Sequence, residues 1–351
     1  MRRAIALAHK GWGQTAPNPM VGAVVVRDGV VVGEGWHARF GEAHAEVAAL
    51  AAAGDRSRGA TLYVSLEPCA HHGKTPPCAD AVIAAGIARV VFAAPDPSAT
   101  GRGGAGRLRS AGVAADGGVE EATAREMNAS WFHAAQGAAR PWVTLKLAVS
   151  LDGAIADAAR APGMLTGDAA RRDVHRLRAN ADAIAVGVGT AIADDPQLTV
   201  RGRKRPRVAP VRVVFDRTAR LPVGSRLART ARTVPTLVVV ERADAARAAA
   251  LGAAGVDVVI AAGLDDALRQ LHARGVRHLL VEGGAALAGA LLGAALVDRL
   301  IIFQAPVLLG RGALAAFGEV PGQPLADAVR WSVVARKAFG DDFMTVYAPR
   351  R

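Results

Sequence analysis

Residues 44–46 read His-Ala-Glu, and residues 66–78 read Leu-Glu-Pro-Cys-Ala-His-His-Gly-Lys-Thr-Pro-Pro-Cys. The first stretch holds an imidazole and a carboxylate, and the second holds both cysteines of the chain. A hydrolytic zinc site needs three protein ligands and a fourth position left open for water. His44, Cys69 and Cys78 are therefore predicted to bind Zn²⁺. Glu46 is predicted to be the nearby carboxylate that moves protons.

The order of these residues is the one used by zinc-dependent base deaminases, whose signature is H-x-E followed by P-C-x-x-C. The chain departs from that signature in one spacing, because eight residues separate Cys69 from Cys78. A structural zinc site would need a fourth protein ligand. His71 or His72 in the inserted segment could supply it, so the spacing alone leaves a structural site open.

The length of 351 residues favours two domains, and a content of 51% apolar residues is ample for two packed cores. Small and polar residues at 134–141, ending in Pro141, resemble a linker. We expect a first domain over residues 1–139 and a second over 140–351. Strands and helices alternate in both, which predicts an α/β fold with parallel crossovers.

The net charge of +12 comes mainly from arginine spread along the chain, without an accompanying series of aromatic residues. This pattern favours compositional bias and phosphate-bearing small substrates, so nucleic acid is not an expected partner. No apolar run of about eighteen residues predicts a membrane span. With only two cysteines and no signal-peptide pattern, a cytoplasmic location is expected. A homo-oligomer is possible on this sequence.

The first half is predicted to begin with a helix over 5–9, followed by a hairpin around Asp28-Gly29. Its other elements are helices at 45–53, 79–85 and 119–132 and strands at 60–65 and 89–93. In the second half, strands are predicted at 142–149, 183–188, 211–215, 236–240, 256–260, 278–281, 300–303, 331–335 and 344–347. Helices are predicted there at 168–179, 243–250 and 265–273, with a last one from the glycines after Glu282 through Leu292.

Several stretches together resemble the bifunctional riboflavin-biosynthesis deaminase/reductase family. They are residues 17–23 (Pro-Asn-Pro-Met-Val-Gly-Ala), 44–46 and 66–78, and then residues 140–148, 150–153, 186–190, 194–196 and 281–284. The long segment between the cysteines, anomalous against the general signature, is typical of this family. The resemblance implies a cytidine-deaminase-like N-terminal domain and a dihydrofolate-reductase-like C-terminal domain.

The resemblance also implies the chemistry. The first domain would use zinc to remove an amino group by hydrolysis from a diaminopyrimidinone that carries a phosphoribosylamino group. The second would use NADPH to reduce the ribosyl group of the product to ribityl. The deaminase substrate is then expected to contact Asn18, His71, Lys74, Thr75 and Asp96. Lys74 is a plausible partner of the phosphate, because an ammonium group pairs with phosphate as a point charge.

For the reductase, a strand that runs into Gly283-Gly284 and a helix is a phosphate-binding arrangement. By resemblance, the residues expected to line NADPH are Ala148, Thr190, Asp194, Gly284, Ala285, Ala286, Leu287, Ala288, Gly289 and Ala290. Those expected at the phosphoribosyl substrate are Arg178, Leu198, Arg201 and Glu282. Lys146 and Glu282 are the candidate catalytic groups that polarise or protonate the sugar.

One motif competes with the proposed cofactor site, and three residues depart from the family pattern. Residues 101–106 fit the dinucleotide motif G-x-G-x-x-G, but they lie in the deaminase half, so we reject them as the cofactor site. Pro162, Met164 and Ser98 stand where the family usually has serine, tryptophan and asparagine.

Two other functions stay open on the sequence. The first is a zinc deaminase that acts on a nucleoside or an RNA base and carries a reductase-like accessory domain. The second is a zinc-stabilised binding protein without catalytic activity.

Overall fold

The structure, a computed structural model, describes residues 1–161, 163–202 and 205–350. The chain forms two compact units. The N-terminal unit contains Met1–Ala138 together with Pro206–Val208, and the C-terminal unit contains Ala139–Arg205 and Ala209–Arg351. Pro162, one of the departures from the family pattern, lies outside the described residues.

The N-terminal unit is one five-stranded sheet with helices around it. Its strands are β1 (Gly22–Arg27), β2 (Val30–Trp36), β3 (Thr61–Leu66), β4 (Arg89–Ala94) and β5 (Ala114–Gly117). Its helices are α1 (Arg2–Ala8), α2 (Ala45–Ala53), α3 (Cys78–Ala84), α4 (Gly104–Ser110), α5 (Glu121–Met127) and α6 (Ala129–Ala135). The strand order is β2-β1-β3-β4-β5, and the last three strands are parallel.

The hairpin predicted at Asp28-Gly29 is present, with both residues at positive φ as a two-residue turn between twisted strands requires. The single helix predicted over 119–132 is wrong, because Asn128 divides it into α5 and α6. The Asn128 side chain accepts a hydrogen bond from the backbone N–H of Met20 and donates one to its carbonyl. The asparagine thus satisfies the buried backbone of Met20, two residues before β1, instead of continuing a helix.

The C-terminal unit contains a nine-stranded sheet of order β11-β10-β9-β8-β12-β6-β13-β16-β15. Its strands are β6 (Trp142–Val149), β7 (Ala154–Ala156), β8 (Ala183–Gly187), β9 (Val211–Phe215), β10 (Thr236–Val240), β11 (Asp257–Ile260), β12 (His278–Glu282), β13 (Arg299–Gln304), β14 (Leu314–Ala315), β15 (Trp331–Phe339) and β16 (Asp342–Pro349). Its helices are α7 (Asp168–Arg178), α8 (Val188–Asp194), α9 (Arg226–Arg229), α10 (Ala245–Ala253), α11 (Leu264–Ala273) and α12 (Ala285–Gly293). From β11 through β13 every neighbouring pair is parallel, and β13 then pairs antiparallel with β16. Strands β7 and β14 form a separate small sheet.

The strand residues alternate between the two faces of this sheet. On β6, Leu145 and Leu147 pack into the cluster that contains α11 and α12. Lys146 and Ala148 therefore point to the opposite face, where Ala148 packs with residues of α7 and β13. The α/β fold class is as predicted, and the predicted strand and helix bounds lie within a few residues of those observed except at 119–132 and in β15. The sequence patterns did not reveal α4, α8, α9, β5, β7 or β14.

In the part of the chain that the structure describes, no helix is long and apolar enough to cross a membrane.

Candidate functional site

The predicted zinc ligands meet at the carboxyl end of β3. His44 is the N-cap residue of α2. Cys69 is the third residue after the end of β3, and Cys78 is the first residue of α3. Their ligand atoms all lie within 4.8 Å of one another. Among the described residues, these three side chains form the group of histidine, cysteine or acidic residues that could hold a metal ion. Nδ1 of His44 is 3.2 Å from Sγ of Cys78 and 3.8 Å from Sγ of Cys69. The local sequence thus brings three soft donors to one point.

The electrostatics of the three donors suit a cation. The backbone N–H of Cys78 donates to Sγ of Cys69 at 3.3 Å. Hydrogen bonds from the Cys78 thiol and from His44 lower the pKa of Cys69 to about 4, so this thiol ionises readily. The pKa of Cys78 is raised because its proton is shared with Cys69 and because the thiol is buried. Cys69 therefore ionises without a metal, and a bound Zn²⁺ would favour deprotonation of Cys78.

His71 and His72 are exposed and do not belong to this group of ligand atoms. The described residues therefore present three ligands, which fits a zinc ion with an open position and not a closed structural site.

Glu46 lies in the first turn of α2 and is only 4% exposed. Burial raises the pKa of its carboxyl to about 7. A carboxyl group with a pKa near neutrality can both accept and return a proton. The position beside the three ligands agrees with the predicted proton-transfer role.

Asn18 is positioned by a histidine that the sequence interpretation missed. His37 is 2% exposed, and its ring packs edge-on against that of His44, with centroids 5.2 Å apart. Nδ1 of His37 lies 3.1 Å from the Ala43 carbonyl, so Nδ1 must carry the proton. Nε2 is then an acceptor, and the Asn18 side-chain nitrogen donates to it at 3.3 Å.

Asp96 follows β4 and is held by a second missed residue, the buried Glu67. The Glu67 carboxylate accepts hydrogen bonds from the backbone N–H groups of Asp96 at 3.1 Å and Ala105 at 2.9 Å. Ser98, the departure from asparagine, donates its hydroxyl to Asp96 at 2.6 Å and accepts from the Gly101 N–H at 2.9 Å. Glu67 thereby ties the Asp96 loop to the chain segment that carries Cys69.

Gly101 and Gly104, in the segment of residues 101–106, serve this packing and not a dinucleotide. A Cβ on Gly104 would lie 1.7 Å from the Pro68 carbonyl oxygen, and one on Gly101 would lie 1.9 Å from Oδ2 of Asp96. Gly103 has a φ of +99°. The loop can lie against the cysteine segment only without side chains at these points.

We expect Gly104→Ala to lower the free energy of unfolding of the N-terminal unit by about 1–3 kcal/mol, since the new methyl group must displace the Pro68 backbone. Zinc affinity should fall as well, because Pro68 directly precedes Cys69. Calorimetric unfolding and a zinc titration would measure both effects. Gly106→Ala is the matched control, since a Cβ there meets nothing within 4 Å. Equal behaviour of the two variants would contradict this account of the glycines.

The remaining predicted deaminase residues, Lys74 and Thr75, lie in the inserted segment, where the Gly73 N–H donates to the Thr75 carbonyl at 3.1 Å. Nζ of Lys74 lies 4.3 Å from the centroid of the Phe40 ring.

The C-terminal unit contains a second cluster of charges. Lys146 and Glu282 are register partners on the parallel strands β6 and β12. Arg178, the last residue of α7, donates from Nε and Nη2 to the two Glu282 oxygens at 2.6 and 2.8 Å. Its Nη1 donates to the Thr199 carbonyl at 2.9 Å. The structure thus brings together three residues predicted to serve the reductase.

In this cluster two cationic side chains, Lys146 and Arg178, surround one carboxylate, and little solvent reaches them. The Arg178 and Glu282 side chains are each 12% exposed. Burial opposes ionisation of Glu282, but Arg178 and Lys146 together hold its pKa below the ordinary value. Burial lowers the pKa of Lys146, and Glu282 partly offsets that effect. A lysine with a depressed pKa next to a carboxylate can release a proton to a sugar oxygen.

Most of the predicted cofactor residues lie in the segments that follow β8 and β12, whereas Ala148 lies on β6. Helix α8 begins after Gly187, and α12 begins after Gly284. A Cβ on Gly284 would come within 2.8 Å of Oγ1 of Thr190. This close approach leaves a cradle of backbone N–H groups and a hydroxyl, which fits the phosphates of a dinucleotide.

Not every predicted residue can contact a ligand through its side chain. Leu287, Ala288 and Leu198 are buried in hydrophobic clusters, so a ligand would reach only their backbone. Arg201 is exposed, and its backbone N–H donates to Nδ1 of His175 at 3.2 Å. Asp194 ends α8 and is exposed. Met164 is 76% exposed.

Comparison with known families assigns the two halves of the chain to two different families. Residues 1–94 match the cytidine and deoxycytidylate deaminase zinc-binding region. Residues 141–345 match the RibD C-terminal domain. The fold and the site therefore define a zinc-binding deaminase unit and a reductase unit in one chain.

The relatives specify this class further. The riboflavin biosynthesis protein RibD of Aquifex aeolicus is 43% identical, over 89% of this chain and 87% of the relative. That of Escherichia coli is 40% identical, over 97% of this chain and 96% of the relative. The chain belongs to the RibD family of riboflavin biosynthesis proteins.

Solved structures support the same conclusion. Acinetobacter baumannii RibD has a TM-score of 0.85 and 36% identity, and the comparison covers 100% of this chain and 98% of the other. A Thermotoga maritima protein also has a TM-score of 0.85, with 34% identity over 100% of this chain and 97% of the other. It is described as a diaminohydroxyphosphoribosylaminopyrimidine deaminase and 5-amino-6-(5-phosphoribosylamino)uracil reductase.

Proposed function

We propose that this chain catalyses two consecutive steps of riboflavin biosynthesis. The first is hydrolytic deamination of 2,5-diamino-6-(5-phosphoribosylamino)pyrimidin-4-one, with release of ammonia. The second is reduction of the ribosyl group of that product to a ribityl group by NADPH. The group formed by His44, Cys69 and Cys78 with the buried Glu46 is the observation that carries the proposal.

For the deamination, His44, Cys69 and Cys78 would hold Zn²⁺, which when bound supplies Lewis-acid activation of a water molecule. Glu46 takes the two protons of that water in turn and delivers one to the ring nitrogen and one to the departing amino group. Water and the amino group thus become the ring carbonyl and ammonia. Asn18 and Asp96 would orient the pyrimidine, and Lys74 would bind the phosphate.

For the reduction, residues at the starts of α8 and α12 would hold NADPH, which when bound supplies a hydride to the ribose C1. Lys146 supplies a proton to the ring oxygen as the sugar opens. Glu282 keeps that ammonium group charged and oriented, and Arg178 holds Glu282. Arg178 and Arg201 would also serve the phosphate of this substrate.

Metal removal separates the two steps. We expect the chelated protein to stop releasing ammonia, because the three ligands alone cannot activate water, and to oxidise NADPH as before when given the deaminated product. Ammonia and the absorbance of NADPH measure the two reactions in the same full-length protein, and added zinc should restore the first. Unchanged ammonia release by metal-free protein would refute the proposed hydrolytic site.

The finer predictions belong to the same proposal. They are a cytoplasmic location, phosphorylated pyrimidines as the partners, a possible homo-oligomer and functional domains over residues 1–139 and 140–351.

A further inference from the structure

Arg207 belongs to the N-terminal unit, together with Pro206 and Val208. Its backbone N–H donates to the Gly13 carbonyl at 2.9 Å, and its Nη2 donates to the Ala16 carbonyl at 2.6 Å. Ala16 precedes Asn18 by two residues. Arg207 is therefore attached to the loop that carries a predicted deaminase residue, although it lies far from that loop in the sequence.

The Arg207 guanidinium shares an aromatic ring with Lys74. The central guanidinium carbon is 5.0 Å from the centroid of Phe40, and Nζ of Lys74 is 4.3 Å from the same centroid. Phe40 lies four residues before the zinc ligand His44. Attraction of each cation to the ring keeps both beside it despite their mutual repulsion.

The second observation concerns the charge balance of these two cations. Within the described ranges, neither Arg207 nor Lys74 forms an ion pair with a carboxylate. Nε of Arg207 is buried and has no hydrogen-bond acceptor among the same residues. A buried donor without an acceptor is costly, and an oxygen-rich anion would supply the acceptor. The arrangement fits a phosphate group, which would neutralise both charges.

We propose that Arg207 is a phosphate-binding residue of the deaminase site, acting with Lys74 on the 5-phosphate of the substrate. Lys74 acts as a mobile point charge, and Arg207 offers the fixed, planar donor set that matches phosphate oxygens. The inference deepens the proposed function and rests on it, because it assumes that a phosphorylated pyrimidine nucleotide is deaminated here.

The test compares the phosphorylated substrate with its dephosphorylated ribosyl analogue. For Arg207→Gln, we expect KM for the phosphorylated substrate to rise at least about tenfold, the range of a lost charge-assisted hydrogen bond. The turnover number should stay within about twofold, since interactions made equally in the ground and transition states affect KM alone. The KM for the analogue should not change. For Arg207→Lys, the KM for the phosphorylated substrate should lie between the values of Arg207→Gln and the wild type.

Arg27→Gln is the matched control. It removes the same charge at the β1–β2 turn, where the ion-pair partner of Arg27 in the described part of the chain is the exposed Asp28 at 3.7 Å. Its KM for both substrates should equal that of the wild type.

Equal losses on both substrates would mean that Arg207 merely supports the Asn18 loop, and no loss on either would also overturn the proposal. Binding of ribose 5-phosphate, measured by calorimetry, keeps the inference separate from the proposed function. Because Arg178 and Arg201 would also bind this compound in the C-terminal unit, the calorimetry counts the binding sites. If the wild type has one site more than Arg207→Gln, the phosphate site stands even where no ammonia is released. If both bind ribose 5-phosphate at the same number of sites with the same affinity, Arg207 is not the phosphate ligand.

Discussion

Replacing Glu46 with glutamine should slow ammonia release by about 10²–10⁴-fold, the usual contribution of a general acid–base group. Glutamine keeps the size of the side chain and removes its ability to carry a proton. Glu46 is buried, and that burial raises its pKa to about 7, so the glutamine variant lacks a carboxyl group suited to proton transfer near neutral pH. The measurement is a direct ammonia assay at saturating substrate.

The zinc content and the second reaction must stay intact for this result to be specific. Glu46 is not one of the three metal ligands, so metal analysis should still find about one zinc ion per chain. NADPH oxidation with the deaminated product should be unchanged. Glu42→Gln is the matched control, since Glu42 is exposed and only two residues before His44. Undiminished ammonia release by Glu46→Gln would show that another group moves the proton.

The metal site was predictable because its residues lie in two short stretches of sequence. His44 and Glu46 begin one helix, and Cys69 and Cys78 flank one segment that joins a strand to a helix. A helix start and the end of a central strand have fixed geometry, so residue type and order were enough. Most strands were predictable for a similar reason, because buried parallel strands are continuous β-branched runs.

The supporting residues were not predictable, because their partners are distant in the sequence. Asn128 looks like an ordinary helix residue until its bonds to Met20 are known. Glu67 stands beside a recognised motif, but its role depends on Asp96 and Ala105, which are 29 and 38 residues away. His37 has no motif that distinguishes it, and only its bond to Asn18 indicates a function.

The same limit applies to the reductase. The sequence identified Lys146, Glu282 and Arg178 separately, by resemblance. Strand alternation could have placed Lys146 on the face opposite Leu145 and Leu147, but not which strand lies beside β6. That neighbour is β12, and the register of the pair sets Lys146 opposite Glu282.

Replacing Glu282 with glutamine should both destabilise the C-terminal unit and abolish NADPH oxidation. The change leaves Arg178 and Lys146 as buried cations without a carboxylate, and the loss of one member of a buried ion pair costs about 3–5 kcal/mol. Calorimetry should show the loss in the unfolding of this unit. As a control, Glu241→Gln breaks the exposed pair with Arg217 and should cost less than about 1 kcal/mol.

Stability and catalysis can then be separated by removing all three charges. A triple variant, Lys146→Met, Arg178→Met and Glu282→Leu, leaves no unpaired buried charge, so its unfolding free energy should return close to that of the wild type. It should still fail to oxidise NADPH, because no group remains to protonate the sugar or to bind its phosphate. If the triple variant regained activity together with stability, the cluster would be only a structural ion pair. If Glu282→Gln unfolded like the wild type, the buried cations would not depend on that carboxylate.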